Sequence, residues 1–216
     1  DYNFEHTPNF RDLTRTSLVL LKYPVVRSLS KLRRLRRGQP VPEGSTTQRI
    51  WVPIPAARAI EAIDAATDRS AIADAMLGFA TTLFDVAVLF IVRDSFAFGW
   101  KAVGDGVDLG RVECALIPLE ATSIFQQAVA APDGVYHGQP TPSAIVSYWY
   151  KVLRVTAPSD ATIAAVSIRK RAVNLLYGHR VGRPPLSPDE LADVTAVSAA
   201  AAAGYARLIA GAKRKD

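Results

Sequence analysis

The sequence predicts an α+β fold in which two β-hairpins combine with several helices, preceded by a basic helical extension. Three observations lead to this prediction. Segments 85–103 and 163–177 each show strand patterns on both sides of a short turn. The segments around them carry apolar residues at helical spacing. Four prolines between positions 40 and 55 separate this region from a strongly basic N-terminal segment.

The composition is that of a soluble globular protein. Of the 216 residues, 49% are apolar and 21% are charged, which is sufficient for a core of useful size. The one cysteine, Cys114, excludes an internal disulfide framework and suggests a reducing compartment. Apolar runs such as 86–92 are far shorter than the ~20 residues that cross a bilayer. We expect a cytoplasmic, bacterial-type chain cut from a longer protein, because no initiating Met or signal series opens it.

The net charge of +6 is concentrated at the N-terminus. Residues 1–45 hold nine Lys/Arg against four Asp/Glu, and segment 24–38 predicts a short amphipathic basic helix. The predicted division is therefore a basic extension and linker, 1–45, followed by a domain, 46–216. An anionic partner would contact the basic side chains by counterion release. Those candidates are Arg27, Lys31, Arg33, Arg34, Arg36 and Arg37.

Nucleic acid is an unfavoured partner for this segment, because it carries no aromatic residue for base stacking. A solvated linker helix is the alternative interpretation, in which Val25, Leu29 and Leu32 pack on the domain or on a second chain. The sequence leaves both interpretations open.

The first half of the predicted domain begins with two helices. One covers 56–66, and the next starts after Asp68 as N-cap and runs to Phe84. A continuously apolar strand, 85–92, and an alternating strand, 95–103, then form a hairpin with Arg93-Asp94 at its turn.

In the middle of the domain, the residue pattern predicts a loop at 104–110, a strand at 113–119 and helices at 120–131 and 141–155. The second of these helices is expected to start at Thr141 as cap with Pro142 in its first position. Cys114 lies within the apolar strand pattern and is predicted to be a buried structural residue.

The second hairpin pairs 163–168 with 172–177 across the turn RKR. The final helix has the clearest start, with Ser187 as N-cap, Pro188 as first residue and Glu190 as capping-box partner. Its small residues, Ser198 and 199–203, allow close approach of another helix. That helix belongs either to the same domain, at 69–84, or to a second subunit, and we expect a homodimer.

Two segments carry a resemblance to a known family. TIAAVSIRKRAVNLLYGHRVGRPPLSPDELADVTAVSAAAAAGYARL resembles the C-terminal half of GAF domains, and FDVAVLFIVRDSFAFGW resembles their first hairpin. The resemblance covers 68–210. It implies a GAF-like central antiparallel β-sheet flanked by helices, often a dimer, and frequently a small-molecule pocket. This chain departs from the family in its RKR turn, where glycine is common, and lacks the signature of cyclic-nucleotide-binding members.

The candidate ligand site is aromatic. Trp100, Tyr136 and Trp149, with His137 after Tyr136, are the residue types that line small-ligand pockets. The alternative is that the aromatic residues are core, as predicted for Phe96 and Phe98, and that His137 is a hydrogen-bonded loop residue. We expect no metal and no cofactor, because the three histidines are far apart and no phosphate-binding motif occurs. The predicted sheet core comprises Val86, Val88, Phe90, Ile163, Val166, Val173 and Leu175.

No motif in the sequence combines a nucleophile, a general base and an oxyanion donor. We therefore expect that the protein is not an enzyme. The sequence favours a sensory or regulatory module in signal transduction that binds a small molecule or a protein partner and relays through its terminal helices. One alternative is a ligand-free dimerisation or scaffolding domain. Another is a binder of anionic surfaces, nucleic acid or membrane, through residues 27–37.

Overall fold

A computed structural model describes residues 51–212. The predicted basic extension and its candidate anion-binding residues, Arg27 to Arg37, lie outside the described residues, as does the predicted boundary between 45 and 46. Both stay predictions.

Twelve elements make up the described part of the chain. The helices are α1 (Ala56–Ala65), α2 (Arg69–Leu83), α3 (Leu109–Glu113), α4 (Ile124–Ala130), α5 (Ala144–Leu153) and α6 (Pro188–Ala212). The strands are β1 (Val86–Arg93), β2 (Phe96–Gly104), β3 (Leu116–Pro118), β4 (Val135–Gly138), β5 (Ala161–Ile168) and β6 (Arg171–His179).

The strands form a six-stranded sheet in the order β3-β2-β1-β6-β5-β4, with every neighbouring pair antiparallel. The two predicted hairpins, β1-β2 and β5-β6, meet at the centre, where Val88 pairs with Tyr177. The buried side-chain amide of Asn174 adds a further link, because its Nδ2 donates to the carbonyl of Phe90 at 2.7 Å. The α+β prediction and both hairpins are confirmed.

Each hairpin turns on two residues with positive φ. These are Asp94 and Ser95 in the first hairpin, one residue later than predicted, and Arg169 and Lys170 in the second. Positive φ at both central residues is what the tight hairpin turns that match strand twist require. Neither turn contains a glycine. Four residues with side chains therefore adopt the left-handed backbone conformation, which glycine adopts with less steric strain.

The sheet separates two apolar layers. Helices α1, α2 and α6 cover one side, called the helical-layer face, where alternate strand residues such as Leu89 and Val166 are buried. Helices α3, α4 and α5 lie on the other side, called the aromatic face, with Val88, Phe90 and Leu175. Six of the seven predicted core residues are buried, and Val173 is half-buried against the helical-layer face.

Side-chain caps fix where the helices begin. Asp68 Oδ1 accepts from the Ala71 amide at 2.9 Å, as predicted. Ser187 and Glu190 form the predicted capping box, since the Ser187 amide donates to Oε2 of Glu190 at 2.7 Å and the Glu190 amide donates to Ser187 Oγ at 3.2 Å.

Two other helices start later than predicted, because a serine further along supplies the capping oxygen. Ser123 caps α4 and Ser143 caps α5, each accepting an amide hydrogen bond at 3.2 Å. Helix α5 therefore begins after Thr141 and Pro142, and the predicted role of Thr141 as its cap is wrong.

The prediction for Cys114 is also wrong. A short helix, α3, capped by Asp108, occupies much of the segment expected to be loop and strand, so that β3 shortens to Leu116–Pro118. Cys114 is the C-cap of α3 and is exposed. Gly99 permits this arrangement, because a Cβ there would lie 1.9 Å from the carbonyl oxygen of Val112.

Helix α6 packs one face on the domain and is unusually apolar. Its buried positions include Val194, Ala201 and Tyr205, which follow the predicted spacing. Among the described residues, one stretch, Pro188–Gly211 in this helix, is long and apolar enough to span a membrane by length and composition, and a third of its most apolar window is buried in the domain. The lengths of uninterrupted apolar runs in the sequence do not reveal this alanine-rich helix.

Candidate functional site

Four large aromatic residues meet on the aromatic face of the sheet. Trp149 of α5 lies at their centre, with its ring centroid 5.0 Å from that of Phe90, 5.3 Å from that of Tyr177 and 6.1 Å from that of Phe125. The ring of Phe125 also lies 6.1 Å from that of Tyr177. Tilted and edge-to-face contacts at these distances are the favourable arrangement for aromatic pairs. We call these four residues the aromatic cluster.

The elements that hold the cluster follow from local sequence. Phe90 and Tyr177 lie on neighbouring strands, on the side of the sheet that strand alternation turns toward α4 and α5. Phe125 and Trp149 come from two helices whose starts are fixed by serine caps. All four rings are fully buried.

A polar group borders the cluster. The hydroxyl of Tyr177 lies 2.9 Å from Nδ1 of His179, both side chains being buried, with donor and acceptor set by the imidazole tautomer. Asp160, only 4% exposed, accepts a hydrogen bond from Ser159 Oγ at 3.1 Å. Next to the larger effect of burial, the charge of Asp160 acts to raise the pKa of both Tyr177 and His179.

Four buried side-chain donors of the described residues have no hydrogen-bond partner, and two of these, Ser198 Oγ and the Tyr205 hydroxyl, belong to α6. The other two border the aromatic cluster. They are Nε1 of Trp149 and the hydroxyl of Tyr150, consecutive residues of α5. After burial, hydrogen bonding with Trp149 and Tyr150 contributes to the shifted pKa of Tyr177, although neither donor reaches hydrogen-bond geometry with the Tyr177 hydroxyl. A buried donor left unpaired lowers the free energy of unfolding by about 1–3 kcal/mol, so each of these two groups destabilises the fold.

Burial sets the charge state of this region. It raises the pKa of Tyr150 to about 12 and that of Tyr177 well above its usual value, because the phenolate form loses solvation. Burial also lowers the pKa of His179, against the opposing effect of Asp85 and Asp160. At neutral pH the region therefore offers neutral hydroxyl and indole donors and a neutral imidazole.

The groups assembled here are aromatic rings and neutral hydrogen-bond donors. Neutral donors inside aromatic walls can bind a planar group that carries hydrogen-bond acceptors. Within residues 51–212 there is no group of three or more His, Cys, Asp or Glu side chains that could hold a metal ion.

Two of the four predicted ligand residues lie here. Trp149 is the centre of the aromatic cluster. Tyr136 of β4 is half-buried against the same layer, and its hydroxyl donates to the carbonyl of Gln139 at 2.6 Å. After burial, the Tyr136 phenol is a further cause that raises the pKa of Tyr150.

The other two predicted residues are on the opposite side of the sheet. Trp100, the extra residue of a bulge in β2, packs on the helical-layer face, with Lys101 Nζ 5.1 Å from its ring centroid. His137 lies in strand β4 rather than in a loop, and its Nδ1 is 2.9 Å from Thr162 Oγ1. It follows Tyr136, so strand alternation turns it away from the aromatic cluster. The sheet divides the predicted set in two, and Tyr136 and Trp149 remain as candidates.

Asp160, Tyr177 and His179 were not predicted as site residues from the sequence. The two-residue spacing of Tyr177 and His179 on a strand was the available signal, since it places both on one face. Phe96 and Phe98, predicted as core, are half-buried.

No family model matches the chain, and no curated protein matches it in sequence. Solved structures do match. The GAF domain of a phosphoenolpyruvate-protein phosphotransferase from Coxiella burnetii has a TM-score of 0.58 at 12% identity, covering 73% of this chain and 94% of that chain. The GAF domain of the corresponding Acinetobacter protein has a TM-score of 0.55 at 12% identity, covering 72% and 92%. The GAF-B domain of DevS from Mycobacterium smegmatis has a TM-score of 0.52 at 16% identity, covering 69% and 100%.

At these identities the likeness concerns the fold. The antiparallel sheet with helices on both faces, reached above from the strand order, is shared with all three domains over most of their lengths. The described part of the chain therefore has a GAF-like fold, as the resemblance in its sequence implied.

Proposed function

We propose that this chain is a non-catalytic sensory or regulatory module that binds a small planar ligand at the aromatic cluster. The observation that carries the proposal is the pair of unpartnered donors, Trp149 Nε1 and Tyr150 hydroxyl, buried beside the aromatic rings. An acceptor on a ligand would satisfy these donors, which the described protein groups leave unpaired. Tyr136 is placed to contact the same ligand from β4.

The similar structures support the regulatory class. They are GAF domains of a phosphoenolpyruvate-protein phosphotransferase and of DevS. The GAF domain of a two-component sensor histidine kinase from Bacillus halodurans also matches, with a TM-score of 0.52 at 16% identity over 68% of this chain and 99% of that chain. From this similarity in fold we propose a role in signal transduction for this chain.

We infer that the end of strand β6 and the residue after it, Arg180, connect the proposed site with the terminal helix. His179 faces the polar border of the cluster, and the next residue, Arg180, points to the opposite side. There its buried guanidinium pairs with Glu190 in the first turn of α6 and donates to the carbonyl of Leu83 at 2.8 Å. A ligand that shifts the end of β6 would therefore act on the start of α6.

The test is native mass spectrometry of the purified full chain, followed by thermal melting with a panel of planar heteroaromatic compounds bearing ring nitrogens or carbonyl oxygens. We expect a retained molecule or a compound that raises the melting temperature. Tyr150→Phe removes one unpaired donor and keeps the ring. It should leave the unliganded protein as stable or more stable by about 1 kcal/mol, while weakening the response to the ligand.

Tyr148→Phe is the matched control, because Tyr148 lies on the same helix with 41% of its surface exposed. It should leave both the melting temperature and the ligand response unchanged. Absence of any bound molecule and of any responding compound would favour the alternative of a ligand-free dimerisation or scaffolding domain. Binding of anionic surfaces by residues 27–37 stays a separate prediction, tested by salt-sensitive binding that charge reversal abolishes.

A further inference from the structure

One acidic side chain at the border of the aromatic cluster is buried without a cation beside it. Asp160 is 4% exposed, and the hydrogen bond that it accepts within residues 51–212 comes from the hydroxyl of Ser159. No Lys or Arg of the described residues forms an ion pair with it. Carboxylates are rarely buried to this degree unless a positive charge or several hydrogen bonds replace the lost hydration. The described protein groups therefore leave this buried charge unbalanced.

The strand register places Asp160 at the polar border of the cluster. Extending the β5-β6 register by one residue from its outermost pair brings Ala161 level with His179, and Asp160 directly precedes Ala161. Ala161 is buried on the aromatic face. Burial lowers the pKa of His179, and the charges of Asp85 and Asp160 act in the opposite direction, as expected of carboxylates at this end of the sheet.

The basic residues at the end of β6 do not serve as the counterion of Asp160. The guanidinium of Arg180 lies on the helical-layer side, where it pairs with Glu190 and donates to the carbonyl of Leu83. Its remaining hydrogen bonds go to carbonyls of the loop before α6. The imidazole of His179 is neutral at neutral pH, because burial lowers its pKa. A positive charge beside Asp160 would therefore have to come from a bound molecule.

The aromatic rings of the site supply the second requirement for binding an organic cation. The rings of Trp149 and Tyr177 lie 5.3 Å apart and nearly perpendicular, and Tyr136 packs against the same layer. Ring faces of this kind attract cations, with Trp the strongest, and the attraction is largest where water is excluded. A metal ion fits less well, because it needs several oxygen ligands and residues 51–212 offer no group of three or more candidate side chains.

We propose that the ligand of the aromatic cluster is a planar organic cation, with a protonated or quaternary nitrogen, and that Asp160 is its counterion. The inference rests on the proposed function, because it names the class of ligand that the same site takes. The carboxylate of Asp160 balances the positive charge, and the aromatic rings contact the ring of the ligand. A carbonyl oxygen on the ligand accepts from the unpaired donors, Trp149 Nε1 and the Tyr150 hydroxyl.

Three compounds that share one ring and one carbonyl acceptor test the charge of the ligand. They are 1-methylnicotinamide, nicotinamide and nicotinate, which at neutral pH are a cation, a neutral molecule and an anion. Each is titrated into the full 216-residue chain, and binding is measured by calorimetry and thermal melting. The corresponding quinoline series covers a larger ring. We expect the cation of at least one series to bind about tenfold tighter than its neutral counterpart, and the anion not to bind.

Asp160→Asn removes the charge and keeps the shape of the side chain. It should abolish the preference for the cation and leave the weaker response to the neutral carboxamide unchanged. Without ligand, the variant should melt at the same temperature as the parent or higher, because an unbalanced buried charge is lost. Asp105→Asn is the matched control, since Asp105 is exposed between β2 and α3. It removes the same charge from the surface and should leave the preference intact.

Several results would contradict the role of Asp160 while the proposed site stands. They are equal or tighter binding of a neutral or anionic compound, a neutral or anionic molecule retained in native mass spectrometry, and a preference for the cation that Asp160→Asn keeps. The comparison of compounds uses the unaltered chain, so it does not depend on the folding of a variant. If no compound of either series or of the wider planar panel binds, and no molecule is retained, the proposed function fails as well.

Discussion

The hydroxyl of Tyr177 lies 2.9 Å from Nδ1 of His179, and both side chains are buried at the C-terminal end of strand β6. Burial lowers the pKa of His179, and it raises that of Tyr177. The pair is therefore most stable when both groups are neutral, which makes it sensitive to acid.

We expect the free energy of unfolding to decrease as the pH falls below about 6.5, the ordinary pKa of histidine. Below that pH the unfolded chain binds a proton at His179 that the folded chain resists, because the pKa of His179 is lowered in the fold. Urea unfolding between pH 8 and pH 5 measures this loss. His179→Gln should flatten the dependence over this range, and an unchanged slope would contradict the assignment.

The centre of the aromatic cluster should dominate stability. Phe90 is fully buried against Phe125 and Trp149, so Phe90→Ala should cost about 3–5 kcal/mol. Chemical denaturation gives the value. Val129→Ala serves as control, because Val129 is 38% exposed and should lose much less. A melting temperature of Phe90→Ala equal to that of the parent would contradict its place in the core.

The capping box at the start of α6 gives a smaller, defined effect. Ser187→Ala leaves the amide of Glu190 without its 3.2 Å partner and should lose about 0.5–2 kcal/mol. The exposed Thr67, between α1 and α2, provides a control in Thr67→Ala, which should be close to neutral. Equal unfolding free energies for the two variants would show that the cap contributes nothing.

Arg180 should be far less replaceable than its neighbour Arg183. Its guanidinium is buried, pairs with Glu190 and donates to the carbonyls of Leu83 and Pro184. Arg180→Lys loses that branched geometry and should cost about 1.5–3 kcal/mol. Arg183→Lys alters a pair of which 40% and 42% of the side-chain surfaces are exposed, so we expect about 0–1 kcal/mol. Equal losses would show that burial of Arg180 is unimportant.

Removal of residues 1–45 should leave a folded domain. The first described residues that pack on the core are Trp51 and Ile54, and the Ile54 amide donates to the carbonyl of Gly78 at 3.2 Å. We expect chain 46–216 to melt within a few degrees of the full chain. Light scattering and thermal melting of both chains test this, and an unfolded or aggregating truncation would move the domain boundary toward the N-terminus.

Much of the fold could be predicted because it depends on local pattern. The strand at 163–168, the positions of the two hairpins and the Ser187-Glu190 capping box involve residues a few positions apart, and each was confirmed. Local signals that compete were harder to separate. Ser143 rather than Thr141 caps α5, because both are capping residues and only the path of the chain selects one.

The candidate site was predicted in part, since it is assembled from distant segments. Sequence alone supplied Trp149 and Tyr136 as aromatic candidates. Trp100 and His137, predicted with them, lie on the other side of the sheet. A bulge at Trp100 changes which face its side chain occupies, and such a bulge is a property of pairing with β1.

What the sequence by itself determined is the set of elements: hairpins, capped helices and a basic N-terminal segment, because each is encoded by residues in contact along the chain. The tertiary structure alone decided that Phe90, Phe125, Trp149 and Tyr177 meet, that Cys114 is exposed, and that α6 keeps an alanine face to solvent. These outcomes depend on strand order and on which face of each element is buried. Both are set by packing between residues far apart in the chain, which local periodicity does not record.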